Sequence, residues 1–468
     1  MAGYTGTMLR LPLSVLLAAA GLPAQSASRS LARDIFKELI EINTTDSSGD
    51  CTKAAEAMAA RFRAAGFPSE DVKVLGPHPK KGNLVARFRG AGGGEPILLI
   101  AHLDVVEARR SDWSFDPFTF LEKDGFFYGR GAQDMKGDAA VFVATLLRLR
   151  QEGWRPRRDL ILALTADEEG GGYNGVHWLL ERHRDLMGAA FCINADSGGG
   201  QIRKGRRVAM TLGAAEKVYL DFRLEVTNPG GHSSLPTKEN AIYRLSEGLA
   251  RLAKFDFPPR LNQVTRMFFE RSASLAPGQE ANDMKAILQS PPDAAAMARL
   301  SQSAYFNAML RTTCVATMLE AGHARNALPQ RAAANVNCRM LPDEPAERAR
   351  DILAGVLADP KITVTPAGPP RPSPPSPLTR EILDPVERLT RKLWGDVPVI
   401  PVMDTGATDG LYLRRAGVPV YGVSGVFSDV DDIRAHGRDE RIPVRSFYDA
   451  LDFMYELIKS LSAADYRA

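Results

Sequence analysis

The sequence has few cysteines and little net charge, and both shortages limit what the protein can be. Only four cysteines occur in 468 residues, and none forms a CxxC pair. This argues against a thiolate zinc site and against a dense disulfide framework. A single disulfide between Cys314 and Cys338 is possible. The 59 basic and 56 acidic residues nearly cancel, so no concentrated basic face indicates a nucleic-acid partner.

Long apolar runs are also scarce. After residue 28 no run is long enough to cross a membrane, so we expect no stable membrane anchor. The apolar run 11–22 is too short to span a bilayer, follows a single arginine and precedes several small residues. This order is typical of a secretory signal that starts at Met8. We therefore predict a signal peptide at residues 1–28 and a periplasmic or secreted protein; the protein would be cytoplasmic if this segment is not a signal.

The length suits two domains, and two patterns of strands and helices divide the chain. In the first pattern, continuous apolar strands alternate with helices, which predicts an α/β layer built on a mostly parallel sheet. The strands are expected at residues 96–101, 160–166 and 190–194, and the helices at 137–151 and from 175 onward.

From residue 213 the pattern changes, because apolar and polar residues alternate along the strands. Strands are expected at 218–226, 312–319 and 332–340, helices at 240–254 and 345–358, and an irregular stretch from 256 to 309. We predict an α+β lid or dimerisation domain at residues 213–367. It is inserted into a catalytic domain at residues 29–212 and 368–468.

Polar side chains follow the first apolar strand directly. His102 and Asp104 are two residues apart, so they share a face if the chain stays extended. A metal-ligating histidine usually donates its other ring N–H to a carboxylate. Asp104 is therefore predicted to orient His102, although HxD alone also describes a hydrogen-bonded surface histidine.

Three acids, Asp167, Glu168 and Glu169, follow the second apolar strand and precede glycines. Such acids repel one another at the end of a buried strand unless a cation neutralises them, and strand ends of open α/β sheets bind ligands. Of the adjacent Glu168 and Glu169, one is predicted to bind metal and the other to accept a proton from metal-bound water. The alternative is a solvated acidic loop.

Three further candidates complete a ligand set. Asp196 follows the third apolar strand, Asp134 lies in a glycine-rich loop that opens a helix, and His436 lies far down the chain. Alone, Asp134 is equally typical of a helix N-cap. Two imidazoles and three carboxylates suit zinc, with cobalt or manganese as substitutes, better than a thiophilic metal.

Taken together, these motifs resemble one enzyme family. HLDVV, YGRGAQDMKG, TADEEGGG, NADSGGG and AHGRDE occur in this order, as in the co-catalytic zinc metallopeptidases that include carboxypeptidase G, aminoacylase, carnosinase and the Gly-X carboxypeptidases. The resemblance covers the chain from about Ser30 to its end. One departure is Met135, where many relatives have a second aspartate.

The resemblance implies a role for each ligand. His102 and Asp196 would hold one zinc, Glu169 and His436 the other, and Asp134 would bridge the two ions. Glu168 would be the general base, with Asp104 behind His102.

Further roles are implied on the substrate side. His232, in the inserted domain, would reach the substrate carbonyl in a neighbouring subunit, which implies a homodimer through the lid; its alternative is a packing or capping histidine. Asn326, Arg339 and Thr408 would bind substrate, with Arg339 at a free carboxylate.

We therefore predict a di-zinc hydrolase that uses a metal-activated water to cleave short peptides, as an exopeptidase, dipeptidase or carboxypeptidase. The nearest alternative is an N-acyl-amino-acid deacylase, and a remote one is a metal-dead binding protein. A serine or cysteine nucleophile lacks support, because the sequence has no GxSxG motif and no cysteine beside a histidine motif.

Overall fold

A computed structural model describes residues 14–463 of the chain, with side chains from residue 25. Most of the predicted signal peptide, residues 1–28, lies outside these described side chains and stays a prediction. The helices are α1 (Ser14–Glu41), α2 (Cys51–Ala64), α3 (Lys136–Gln151), α4 (Gly175–Arg182), α5 (Arg184–Met187), α6 (Ala241–Leu252), α7 (Gln263–Ser272), α8 (Gly278–Ala286), α9 (Ala294–Leu300), α10 (Ala304–Leu310), α11 (Ala346–Leu357), α12 (Arg380–Trp394), α13 (Gly410–Arg415) and α14 (Val444–Ala463).

The strands are β1 (Val72–Leu75), β2 (Asn83–Phe88), β3 (Ile97–His102), β4 (Leu121–Lys123), β5 (Phe126–Tyr128), β6 (Leu160–Thr165), β7 (Phe191–Asn194), β8 (Gly199–Arg203), β9 (Arg206–Glu216), β10 (Val218–Thr227), β11 (Gly231–His232), β12 (Thr313–Ala321), β13 (Ala327–Leu328), β14 (Arg331–Met340), β15 (Thr363–Pro366), β16 (Val399–Asp404), β17 (Val420–Gly422), β18 (Phe427–Asp429) and β19 (Arg441–Pro443).

Ten strands form a central sheet in the order β1-β2-β6-β3-β7-β17-β9-β8-β18, with β16 also paired to β9. Its middle strands β6, β3, β7 and β17 are parallel, whereas β2 and β9 flank them in antiparallel pairing. The carboxyl ends of β3, β6 and β7 therefore meet at one edge of the sheet, where open α/β sheets bind ligands. The predicted fold class is confirmed.

Both faces of the central sheet are covered, which explains why its strands are apolar throughout. Along β3, Leu99 and Ala101 pack into the larger core with α1, α3 and α14, while Leu98 and Ile100 pack into a smaller core with α4 and α13. Each large aliphatic side chain buried in this way contributes roughly 1.5–3 kcal/mol. Packing on both sides holds the strand end, and hence His102, in place.

A second sheet, β12-β14-β10-β15, is antiparallel throughout. Along β10, Val218, Leu220 and Phe222 are buried beneath α6 and α11. Tyr219 and Asp221 alternate with them and lie on the opposite face, as the period of a strand requires. This sheet and its two helices form the lid.

The predicted irregular stretch at 256–309 is wrong, because the segment contains helices α7 to α10. Asn262, Asp293 and Ser303 cap three of them by accepting backbone N–H groups. These helices are only 7 to 10 residues long, so each carries a short periodic signal. Val264 and Phe269 join the catalytic core, and the predicted lid limits of 213–367 therefore include a segment that packs elsewhere.

Cysteine pairing and membrane character can be stated for the described residues. Cys314 and Cys338 face each other on β12 and β14 and form a disulfide, while Cys51 and Cys192 are buried free thiols. None of the helices within residues 14–463 combines the length and the apolarity needed to cross a membrane.

Candidate active site

The five predicted ligands meet at the carboxyl edge of the central sheet. His102 ends β3, and Glu169 and Asp196 closely follow β6 and β7; Asp134 comes from the loop before α3, and His436 from the loop between β18 and β19. Parallel strands thus deliver three of the side chains to the same edge, and two long loops supply the others.

The ligand atoms form two groups that share Asp134. His102 Nε2 lies 3.0 Å from Asp134 Oδ1 and 3.9 Å from Asp196 Oδ1. His436 Nε2 lies 3.1 Å from Asp134 Oδ2 and 2.8 Å from Glu169 Oε1. Within each group the ligand atoms lie within 4.8 Å of one another. Each group can therefore hold one cation, with Asp134 as a bridge.

The chemistry of this donor set fits divalent metal ions. Imidazole and carboxylate are ligands that zinc, cobalt and manganese accept. Burial raises the pKa of Asp196 well above its usual range. Burial, together with the charge of Asp134, raises the pKa of Glu169 to about 7. Neighbouring buried acids are costly unless a cation neutralises them, so the residues fit two bound ions.

Both histidines form hydrogen bonds with Asp134, the residue shared by the two groups. Although burial opposes it, the hydrogen bond with Asp134 raises the pKa of His102 well above the usual value. The hydrogen bond with Asp134 also raises the pKa of His436 to about 9. Burial alone would raise the pKa of Asp134, but the hydrogen bonds with His102 and His436 lower it. Metal binding at these nitrogens must release their protons.

Asp104 orients His102 differently from the prediction. The Nδ1 of His102 lies 3.0 Å from the main-chain carbonyl oxygen of Asp104 and 3.7 Å from its carboxylate Oδ1. The other carboxylate oxygen accepts the Glu169 N–H at 2.9 Å. Asp104 therefore holds one ligand by its backbone and a second by its side chain.

Glu440 also belongs to the site, although its role was not predicted from the sequence. Its Oε1 accepts the backbone N–H groups of Gln133 at 2.7 Å and Asp134 at 3.0 Å. Its Oε2 pairs with Arg130 Nη1 at 2.6 Å, and both side chains are buried. Glu440 thereby fixes the loop that carries Asp134. Its position four residues after His436, in the same motif, was the available signal.

Glu168 lies beside the ligand groups and lines the adjoining cavity. Burial, with smaller contributions from Asp409 and Glu169, raises its pKa to about 8. Asp409 is itself buried and accepts hydrogen bonds from Asn174 Nδ2 at 2.6 Å and Thr165 Oγ1 at 3.2 Å. A carboxyl with a pKa near neutrality can both accept and return a proton, as a general base and acid must.

A cavity of about 710 Å³ connects Glu168 and Glu169 with the lid. Two of the predicted substrate residues line it. The guanidinium of Arg339 lies 4.7 Å from the ring centroid of Tyr219 on the lid sheet. Thr408 is held by its N–H, which donates to Glu216 at 2.8 Å.

The other two predicted substrate residues lie away from this cavity. His232 and Asn326 are exposed, and the Ser233 N–H donates to the Asn326 carbonyl beside the small sheet β11-β13. The ring of His232 contacts Ser234. Within residues 14–463 of a single chain, neither residue lines the cavity that holds Glu168.

Known proteins resemble the chain along most of its length. The model of Peptidase family M20/M25/M40 matches residues 98–460. N-fatty-acyl-amino acid synthase/hydrolase PM20D1 of Xenopus tropicalis is 28% identical over 407 residues, which cover 84% of this chain and 78% of that protein.

Two solved structures share the fold. The M20 family metallo-carboxypeptidase Sso-CP2 from Sulfolobus solfataricus has a TM-score of 0.67 at 18% identity, covering 92% of this chain and 99% of that one. The Bacillus subtilis YXEP protein, a dinuclear metal-binding peptidase, has a TM-score of 0.59 at 13% identity, covering 93% and 98%.

Proposed function

Since this chain belongs to Peptidase family M20/M25/M40, we propose that it cleaves the amide bond of short peptides, as an exopeptidase, dipeptidase or carboxypeptidase, with two zinc ions. The coarser prediction is confirmed: the chain is a hydrolase of amide bonds in a metallopeptidase family. Two groups of candidate ligands support two bound ions and argue against a metal-dead binding protein. The observation that carries the proposal is the pair of ligand groups sharing Asp134, with Glu168 beside them.

The chain's own side chains divide the chemistry. The bound ions would acidify a water and polarise the scissile carbonyl. Glu168 accepts the proton of the attacking water and delivers it to the leaving amine. Arg339 binds the free carboxylate of the substrate through a charge-assisted hydrogen bond, and Thr408 lines the same cavity.

A second candidate is an N-acyl-amino-acid deacylase. It is supported by the relative from Xenopus tropicalis, whose name describes hydrolysis of N-fatty-acyl amino acids. Both activities break an amide beside a free carboxylate, so the same metal ligands and the same arginine serve either one. They differ in what binds on the acyl side of the bond, where a dipeptidase needs a free amine and a deacylase accepts an acyl group.

A substrate panel on the zinc-loaded protein distinguishes these activities. We expect hydrolysis of dipeptides or N-acyl amino acids with a free carboxylate, loss of activity after chelation, and recovery with zinc; cobalt and manganese serve as comparison metals. Preference for a free amine indicates a dipeptidase, and tolerance of an acyl group indicates a deacylase or carboxypeptidase. If neither substrate class is cleaved by protein that retains two ions, the proposal is wrong.

We also propose that the protein is a homodimer through the lid. Strand β12 lies at the edge of the lid sheet, and its Val315, Met318 and Leu319 are each at least 60% exposed. An exposed apolar edge strand readily pairs with another chain. A second subunit would also supply His232 to the cavity, where a donor to the developing oxyanion contributes about 2.7–4 kcal/mol.

We also propose that the protein is exported to the periplasm or outside the cell. The disulfide between Cys314 and Cys338 supports it, because disulfides persist in oxidising compartments. Mass spectrometry of the protein from its native host tests this, since cleavage near residue 28 is expected and an intact Met1 or Met8 would contradict it.

A further inference from the structure

The proline-rich segment 368–377, which returns the chain from the lid, forms one wall of the cavity. It is anchored at both ends. The Ala367 N–H donates to the Asp221 carbonyl in the lid at 2.8 Å. On the catalytic side, the buried hydroxyl of Ser373 donates to Glu216 at 3.0 Å, and Ser376 Oγ donates to the Val420 carbonyl at 2.7 Å.

Between these anchors lies a short arch, residues 368–372, with the sequence GPPRP. Prolines fix φ and stiffen an extended segment. Arg371 is the charged residue of this arch and lines the cavity. The arch therefore presents a cation to the substrate from a rigid support.

Arg371 does not form an ion pair with any carboxylate in the part of the chain that the structure describes. Its Nη1 donates to the Tyr412 hydroxyl at 3.2 Å. Because that oxygen accepts from a guanidinium, the phenolic hydrogen remains free to be donated to an anion. Tyr412, on α13, lines the same cavity, and its ring centroid lies 4.9 Å from that of His177, with the two rings tilted by 34°.

Two acids near this segment, Glu216 and Asp221, also line the cavity and are already engaged. Glu216 pairs with the buried Arg414 at 2.6 Å. Asp221 accepts the Tyr219 hydroxyl at 2.6 Å and the Asn337 side chain at 2.8 Å. Neither acid is thus left to neutralise Arg371.

Lys217 donates to the Arg311 carbonyl at 2.7 Å, so its ammonium is not directed at a ligand. Arg339 also has no ion-pair partner among the described residues, and it stands on a different element, β14. Two guanidinium groups without carboxylate partners therefore line one cavity from two supports.

We propose that Arg371 and Tyr412 form a second carboxylate-binding subsite, which selects substrates by a carboxylate of their amino-acid part. The inference rests on the proposed function for the identity of that substrate. A guanidinium and a phenol together present several donors to one carboxylate. With Arg339 at the α-carboxylate, the second subsite holds the side-chain carboxylate of glutamate or aspartate, and this predicts a preference for acidic amino acids.

Three substrates that differ in their carboxylates test this subsite. We would measure kcat and KM for amides whose leaving amino acid is glutamate or glutamine, and for the α-amide of the glutamine substrate. The variants are Arg371→Gln, Arg371→Lys and Tyr412→Phe. Arg380→Gln is the matched control, because Arg380 is exposed just beyond the same segment and does not line the cavity.

For Arg371→Gln we expect KM for the glutamate substrate to rise on the order of 10- to 100-fold, with kcat nearly unchanged. Arg371→Lys should recover part of this loss, because it keeps the charge but not the planar guanidinium. A loss confined to the glutamate substrate identifies the side-chain carboxylate as the ligand. If KM rises equally for the glutamate and glutamine substrates but not for the α-amide, the subsite binds the α-carboxylate instead. This result still supports a carboxylate-binding subsite.

Two results would overturn the subsite: an unchanged KM for every substrate, or an equal loss that includes the α-amide. Calorimetric binding of glutamate and glutamine to the same variants provides a readout that needs no turnover. If the wild type cleaves no amide but still binds glutamate more tightly than Arg371→Gln does, the proposed activity fails while the subsite stands. If glutamate binds both proteins equally, the subsite fails.

Discussion

The carboxylate of Glu440 accepts the backbone N–H of Asp134 at 3.0 Å, so the residue that can bridge two metal ions is positioned by an acid more than 300 positions later in the chain. Glu440 lies four residues after His436, a ligand of the second group. One short motif thereby supplies a ligand and also fixes the loop of the shared ligand. Arg130 neutralises Glu440 at 2.6 Å, where both side chains are buried.

Replacing Glu440 by glutamine should destabilise the protein by about 3 kcal/mol or more, because Arg130 would be left as an unpaired buried charge. Metal affinity should also fall by about 10- to 100-fold, as expected when a residue that orients a ligand is lost. Urea unfolding of the metal-free protein and metal titration measure these effects. Glu122→Gln, in an exposed pair with Arg33, is the control and should change neither quantity measurably.

Glu168→Gln should retain two metal ions and lose activity by on the order of 10²–10⁴-fold, because the amide cannot accept the proton of the attacking water. Metal analysis and kcat measured on the same preparation check both parts. Glu181→Gln, on α4, is an exposed control. Full activity in Glu168→Gln would exclude this residue as the base.

Substitution of the shared ligand should weaken the binding of both metal ions, whereas substitution of a ligand in one group should weaken the binding of one ion. Asp196→Asn should weaken one metal site only, whereas Asp134→Asn should weaken both by more than about 10-fold, because Asp134 has one carboxylate oxygen in each group. Calorimetric titration gives the stoichiometry, with the exposed Asp112→Asn as control. Loss of a single ion in Asp134→Asn would argue against a bridging role.

Metal affinity should rise as pH increases. The pKa of His436 is raised to about 9, and that of Glu169 to about 7. Both groups carry a proton below these values and must release it before they bind a cation. Each such proton makes binding tighter by up to about tenfold per pH unit until its pKa is passed. Competition with a chelator between pH 6 and 9 measures the slope, and affinity that falls with rising pH would contradict the ligand assignment.

His232→Ala should lose activity in the homodimer, and mixing it with Glu168→Gln should restore some. A mixed dimer has one site that receives both intact residues, so equal mixing restores about one quarter of wild-type activity if subunits exchange freely. The control is each variant mixed with itself. If proven mixed dimers recover no activity, His232 either acts in the active site of its own subunit or takes no part in the reaction.

Local sequence patterns predicted three of the five candidate ligands. His102, Glu169 and Asp196 each closely follow an apolar strand, and parallel strands in one layer end at the same edge. That inference needs only the strand pattern and the position of each polar residue, so the structure brings the predicted ligands together. The helices between residues 256 and 309 were missed because each is short.

Other relationships join residues that are far apart in the chain. Glu440 contacts Asp134 over 306 positions, and Arg371 meets Tyr412 only because the return segment is anchored to both domains. Periodicity carries no signal for such contacts, since they depend on how packed elements place loops against one another.

By itself, the sequence determined the α/β layer and predicted the candidate ligands at its edge, because residue type and strand ends are local properties. Only the tertiary structure decided which group orients His102, that the segment at 256–309 packs with the catalytic core, and that His232 and Asn326 lie away from the cavity of their own chain. Each of these depends on burial and on long-range packing, where the free energy of a contact is set by neighbours that the linear order does not identify.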